Sequence, residues 1–117
     1  MANVAPGFDF IPAATVTTAT VTGRGINLEG AHRFSIHLVV TSTDAAGSVA
    51  VQVSNDGDNW VALTFEDGST TITVSGNTNA LRDAVTHARF ARAVYTRTGG
   101  TNGTIQAIGC RKAPAGR

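Results

Sequence analysis

The sequence predicts an all-β chain: a small antiparallel β-sandwich, jelly-roll or immunoglobulin-like, of about seven or eight short strands. Three observations lead there. Stretches with period-two alternation of apolar and polar residues recur along the chain, RFSIHLVVT from Arg33 and VAVQVS from Val49 being the clearest. Turn-forming clusters of Gly, Asn, Asp and Ser separate them about every eight to twelve residues. No segment reads as a helix long enough to cover a sheet. Composition agrees, because charged residues are only 15% of the chain, thirteen glycines are spread through it and threonine is frequent, a mixture that suits pleated strands and tight turns. At 117 residues it is one domain, able to remove roughly two-thirds of its unfolded surface from water.

The organising stretch runs from Val49 to Phe65. Val49, Val51 and Val53 alternate with Ala50, Gln52 and Ser54, which makes one face of an extended segment apolar. Asn55, Asp56, Gly57, Asp58 and Asn59 tolerate positive φ or hydrogen-bond their own backbone, so the chain turns there and a second strand starts at Trp60. A two-stranded ribbon is marginal alone in water, so further strands must cover it.

Taken in order, the expected boundaries are an extended N-terminal arm over residues 1–13, a sandwich over 14–110 and a flexible tail over 111–117. Pro6, Gly7 and Pro12 argue against a helix in the first segment, while Phe8, Phe10 and Ile11 are too apolar for a free tail. Such an arm docks its aromatics on another surface, or it is an edge strand of its own domain; both readings fit. ATVTTATVT, from Ala14, reads as a strand whose apolar phase slips as at a bulge, broken by Gly23 and Gly25. Phe34, Ile36, Leu38 and Val40 share one face of a central strand. Ser42–Ser48 is a loop, and TTITVS returns as a strand up to Gly76 and Asn77. Residues 80–88 are expected as an irregular connection or one helical turn, since Leu81, Val85 and Ala88 fit a helical stripe, followed by a strand over Arg89–Thr98. After the GGTNG turn the last strand spans Thr104–Cys110.

Charge is polarised along the chain. Between Phe34 and Leu81 the charges are all acidic, whereas from Arg82 onward seven basic residues face Asp83 alone. Such sets pair between copies, with Arg89, Arg92 and Arg97 meeting an acidic loop such as Glu66 and Asp67, or they pair within one molecule, where exposed ion pairs are worth about 0–1 kcal/mol. The net charge of +1, and the differing parity of Arg92 from Arg89 and Arg97, give no reason to expect nucleic acid as a partner. No apolar run approaches the ~20 residues of a membrane span, and the N-terminus lacks the pattern of a signal peptide. The expectation is a soluble protein made in a cytoplasm, with no membrane partner. Cys110 is the lone cysteine, expected as a small buried hydrophobe, so no disulfide within the chain and no thiolate metal cage can form.

Signatures of catalysis and ligation are not found. No nucleophile elbow accompanies the serines, and His32 and His37, five apart, would point to opposite faces of one strand. Asn55–Asn59 lacks the alternating ligands and closing glutamate of a calcium loop, and Gly99, Gly100 and Gly103 are followed by neither lysine nor helix start. No enzyme, cofactor or metal is therefore expected. Trp60, among valines, fits the core; the other reading puts it at an open end of the sandwich, where it or Tyr95 stacks on a sugar ring.

VQVSNDGDNWVAL, followed by FARAVYTRTGGTNGTIQAIG, resembles a pattern in small structural proteins of tailed bacteriophages. The matching residues are Ser54, Asn55, Asp56, Gly57, Asn59 and Trp60, then Ala91, Arg92, Tyr95, Thr98, Gly99, Gly103, Thr104 and Ile105. The match covers about the last two-thirds of the chain and leaves the N-terminal segment outside. Much of it is hairpin grammar that sugar-binding sandwich modules share. The resemblance implies a virion protein, either capsid decoration (cement) or a neck or tail component, made in the host bacterial cytoplasm. Its partners would be copies of itself and the major capsid or neighbouring virion proteins. The bridging residues expected are Phe8, Phe10 and Ile11, with the arginines and acidic loop named above. The alternative function is a carbohydrate-binding module for surface adhesion, with Trp60 or Tyr95 as the platform.

Overall fold

Alternation of apolar residues along the two longest predicted strands fixes which side of each is inside. Phe34, Ile36, Leu38 and Val40 point to one interior, Val49, Val51 and Val53 to the same interior from the other side, and all are buried. The computed structural model describes residues 7–16, 20–28 and 30–112. Its strands are β1 (Gly7–Thr15), β2 (Thr20–Thr22), β3 (Ile26–Asn27), β4 (Arg33–Thr41), β5 (Ala46–Ser54), β6 (Val61–Ala62), β7 (Ile72–Ser75), β8 (Thr78–Val85), β9 (Phe90–Gly99) and β10 (Thr104–Lys112).

One sheet runs β1-β10-β4-β8 and the other β2-β9-β5-β6, with β3 also on β9 and β7 also on β5. β2 and β3 occupy one lane beside β9, and β6 and β7 one lane beside β5, so each sheet is four lanes wide and every pairing is antiparallel. The chain changes sheets at most connections, staying in one only from β2 to β3 and from β5 through β6 to β7. That is the double Greek key of a jelly roll, the first of the two architectures expected. The core lies between the sheets and includes Leu63 and Phe65, which close the side of the sandwich where the β6–β7 loop crosses to β8.

Several boundaries differ from expectation. Residues 7–13 are not an arm; they belong to β1, an edge strand antiparallel to β10, while residues 1–6 lie outside the described residues. Phe10 and Ile11 are fully buried in the domain's own core, and Phe8 packs against it. The aromatics dock on Gly109, where a Cβ would stand 2.4 Å from the Phe8 ring and 2.6 Å from the Phe10 ring. Phe10 also lies 5.6 Å, centroid to centroid, from Phe34. Pro12, which has no N–H to give the ladder, sits within the second of two register shifts in this strand. At the other end Arg111 and Lys112 extend β10 opposite Phe34 and Arg33, so the expected tail begins two residues too early; residues 113–117 lie outside the described residues.

The segment over residues 80–88 is a further correction. It is mostly strand β8, in which Ala84 is buried and Ala80 half-buried, whereas Leu81 and Val85 face solvent at 61% and 44% exposure. Residues four apart share a helix face, but on a strand they also share one, and here it is the outer one. β5 starts at Ala46, inside the expected loop, and the strand after the hairpin turn shrinks to Val61–Ala62.

Because Phe10 fills core rather than reaching for a partner, Phe10→Ala should cost about 3–5 kcal/mol of folding stability, read from urea denaturation. A loss below ~1 kcal/mol would mean that the N-terminal strand is not part of the fold.

Candidate functional site

Burial of Ala91, Ala93 and Tyr95 on β9 and of Val51 and Val53 on β5 forces Arg92 and Gln52 to the outer face, where the two are register partners. Arg92 Nε donates to Gln52 Oε1 at 2.8 Å. Above the pair lies Trp60, whose ring centroid is 4.3 Å from the Arg92 guanidinium carbon, within the range of a cation–π contact. The far edge of the indole abuts Gly25, where a Cβ would stand 3.1 Å from Trp60 Cη2. Trp60 is therefore half-buried on the outside of the second sheet rather than in the core.

The turn that presents Trp60 is held by Asp56. Its carboxylate accepts from the backbone N–H groups of Asn59 (2.8 Å) and Asp58 (2.9 Å), from the Asn59 side chain (2.7 Å) and from the Ser54 hydroxyl (2.9 Å). These bonds, the Asn59 N–H foremost, hold the carboxyl well below the usual carboxylate range. Gly57, at φ 78°, supplies the left-handed step that the turn requires. Asn55 reaches across to accept from the Arg89 N–H at 3.1 Å, tying the turn to the β8–β9 loop. Between them is a shallow depression of about 280 Å³ lined by Val53, Ser54, Asn55, Asn59, Val61, His87 and Ala88.

The remaining predicted residues are dispersed. Arg89 lies over the Phe90 ring at 5.4 Å, while Arg97 donates to the Gly100 carbonyl at 2.6 Å at the opposite end of β9, so the three arginines form no common surface. Glu66 and Asp67, expected to meet arginines of another copy, are paired within the chain, to Arg33 at 3.6 Å and to Arg82 at 3.0 Å. Tyr95 is fully buried and cannot be a stacking platform; burial pushes its phenol up. Cys110 is half-buried on β10 and not in the core.

Sequence spacing missed two long-range contacts. His32 and His87, fifty-five positions apart, meet edge to face with centroids 4.9 Å apart. Asp44 accepts from the Thr101 hydroxyl and from the Thr101 backbone N–H at 3.0 Å, clasping the β4–β5 loop to the β9–β10 loop. Among the described residues no three of His, Cys, Asp and Glu gather where a metal ion could be held. No helix among them is long and apolar enough to cross a membrane.

No family model and no curated protein matches the sequence. Solved structures share the fold. YomS, a protein derived from the SPBc2 prophage, aligns with a TM-score of 0.60 over 92% of both chains at 14% identity. The C-terminal CBM6 of LamC, a marine laminarinase from Zobellia galactanivorans, aligns with a TM-score of 0.50 over 80% of this chain and 72% of the other at 16% identity. The class the architecture defines is thus a jelly-roll β-sandwich, a fold this chain shares with a prophage protein and a carbohydrate-binding module.

Three carboxylates are held low by local bonds: Asp56 as described, Asp44 first by the Thr101 hydroxyl, and Asp67 first by the Ser69 hydroxyl. Each ionises more readily folded than unfolded, so the stability it adds is present above about pH 4 and is lost as pH falls through the folded values. The urea midpoint should hold steady from neutrality to about pH 5 and drop below pH 4. Asp56→Asn should make that drop shallower; an unchanged slope would show that the turn carboxylate adds no stability.

Proposed function

We propose that this chain is a non-enzymatic structural protein of a tailed-bacteriophage virion, which self-associates on the particle surface and stabilises it by bridging subunits. Capsid decoration is the role we assign, with a neck or tail position the neighbouring possibility. The observation that carries the reading is the outer face of β8, where Leu81 and Val85 are exposed on the same side of an edge strand. Half-buried Val39 and Ile108 lie on that same face of the sheet, among His37, Asp83 and Arg33, and exposed apolar side chains set in a polar surround suit a protein partner better than water. The end-to-end likeness to a prophage-derived protein and the phage-like pattern through Ser54–Trp60 and Ala91–Ile105 support the same reading.

The edge itself is not free for strand addition. The Asp83 carbonyl accepts from the Glu66 N–H at 3.0 Å and the Leu81 carbonyl from Arg82 Nη1 at 3.1 Å. A partner therefore meets the side chains of this face and not the backbone rim. Contacts of this size are weak singly, but in a shell each further one becomes intramolecular once the first has formed, so modest apolar patches yield durable binding.

The double variant Leu81→Asp, Val85→Asp should change folding stability by only about 0.5 kcal/mol, since both side chains lie outside the core. By light scattering it should show a lower solution mass than the natural chain, and it should no longer bind particles of the parent phage. Self-association and particle binding that survive the double variant would refute this face as the bridge.

A further inference from the structure

The outward rows of the two sheets carry one motif with opposite signs. On β8, Asp83 stands between Leu81 and Val85, all three exposed on the same face. On β9, Arg92 stands between Phe90 and Val94, all three half-buried on the outer face of the other sheet and alternating with buried Ala91 and Ala93. Each is a charged residue flanked at alternate positions by apolar ones, so both have the same side-chain step of ~6.6–6.8 Å. The surroundings keep the signs distinct. Arg33, the register partner of Val85, is engaged by Glu66 at 3.6 Å, and Asp9 adds a second carboxylate to the first sheet beside Ile108. The outward rows of β9, β5 and β6 hold no carboxylate. There Arg92 is fixed by its Nε on Gln52 and by its stacking on the Trp60 indole, with Ala50 and Ala62 on the neighbouring strands. A guanidinium bonded through Nε still presents two Nη groups as a fork that fits a carboxylate.

We propose that the outer face of the second sheet is the docking surface for the outer face of the first sheet of another copy, Asp83 meeting Arg92 while Leu81 and Val85 pack on Phe90, Val94 and the indole. The proposal rests on self-association through Leu81 and Val85 and names the surface they meet. Like faces brought together would oppose Asp83 to Asp83, or Arg92 to Arg92, which costs free energy, whereas unlike faces pair each charge and cover the apolar side chains beside it. Tryptophan and arginine are also the residues that most often anchor a protein interface. A contact of this kind uses a different surface on each partner, so every copy keeps a face for the next and the assembly extends or closes as a ring. Four lanes wide and nine residues long, an outer face covers roughly 600 Å², and two faces in full overlap bury about 1,200 Å², the low end for a specific interface. One junction is therefore weak, and the array supplies the durability.

Sedimentation of the full chain should show a mass that rises with concentration. Asp83→Lys and Arg92→Glu, each with circular dichroism unchanged, should each need about tenfold more protein to reach the same mass. Their equimolar mixture should recover the natural curve, because every junction between the two variants joins unlike charges. A second measurement leaves the surroundings of Trp60 untouched: an excess of the Leu81→Asp, Val85→Asp chain, which keeps its second face, should cap natural assemblies and lower their mass. A mixture no heavier than its components, natural assemblies indifferent to the capping chain, or a natural chain monomeric at every concentration would overturn the proposal. Arg92→Glu chains that associate like the natural one, while Leu81→Asp, Val85→Asp chains do not, would overturn it too, yet leave Leu81 and Val85 as the bridge. Particle binding that survives Leu81→Asp, Val85→Asp would instead refute that earlier reading.

Discussion

A strand buries alternate side chains, and once one row is committed to the interior the other has no choice but to face out. In this protein that constraint acts through the inward rows of β4 and β10 on one side and β5 and β9 on the other. The small inward residues Ala91, Ala93 and Ala107 leave room for Phe10, Phe34 and Tyr95, so the interior is filled by a few rings set among short side chains. Every surface feature follows from the same commitment. Arg92 is outside because Ala91 and Ala93 are inside, and Leu81 is outside because β8 turns Ala80 and Ala84 toward the core.

The two ends of the sandwich are secured differently from its middle. At one end Asp56 folds the Ser54–Asn59 turn on itself and Asn55 ties it to Arg89; at the other, Asp44 and Ser42 hold the β9–β10 loop, with the Ser42 hydroxyl donating to the Asn102 carbonyl at 2.7 Å. Each turn is thus fastened by a short polar side chain that supplies backbone groups with the partners the sheets cannot give them. Removing one of these carboxylates would loosen a loop while leaving the sheets in register. The sheets and the loops that join them therefore rest on separable interactions.

Much of the architecture was legible from the residues. Arg33–Thr41 emerges as a strand with the limits its alternation suggests, and the Asn55–Asn59 turn lies where Asp, Asn and Gly cluster. What escaped had a physical cause in each case. Pro12 and the nearby bulges hide the pairing of β1, and the partner that accepts its aromatics is a glycine ninety-nine positions beyond Phe10, a contact no local pattern announces. The β8 strand imitates a helix because Leu81 and Val85 are apolar on the wrong side. Trp60 was placed inside on the general habit of tryptophan, whereas its position is decided by the register of β5 on β9, which sets Arg92 beside Gln52. The site was visible only as separate residues until that register was known.

The four rims of the two sheets are all interrupted. β1 carries Pro12 and two register shifts, β2 and β3 are parted around Gly23–Gly25, β6 and β7 are parted by a long loop, and β8 has carbonyls taken by Glu66 and Arg82. Among the described residues no uninterrupted row of unpaired amides is offered to a neighbour, which works against edge-to-edge pairing of the cross-β kind. Contact with another molecule at these rims would then fall to side chains rather than to backbone pairing.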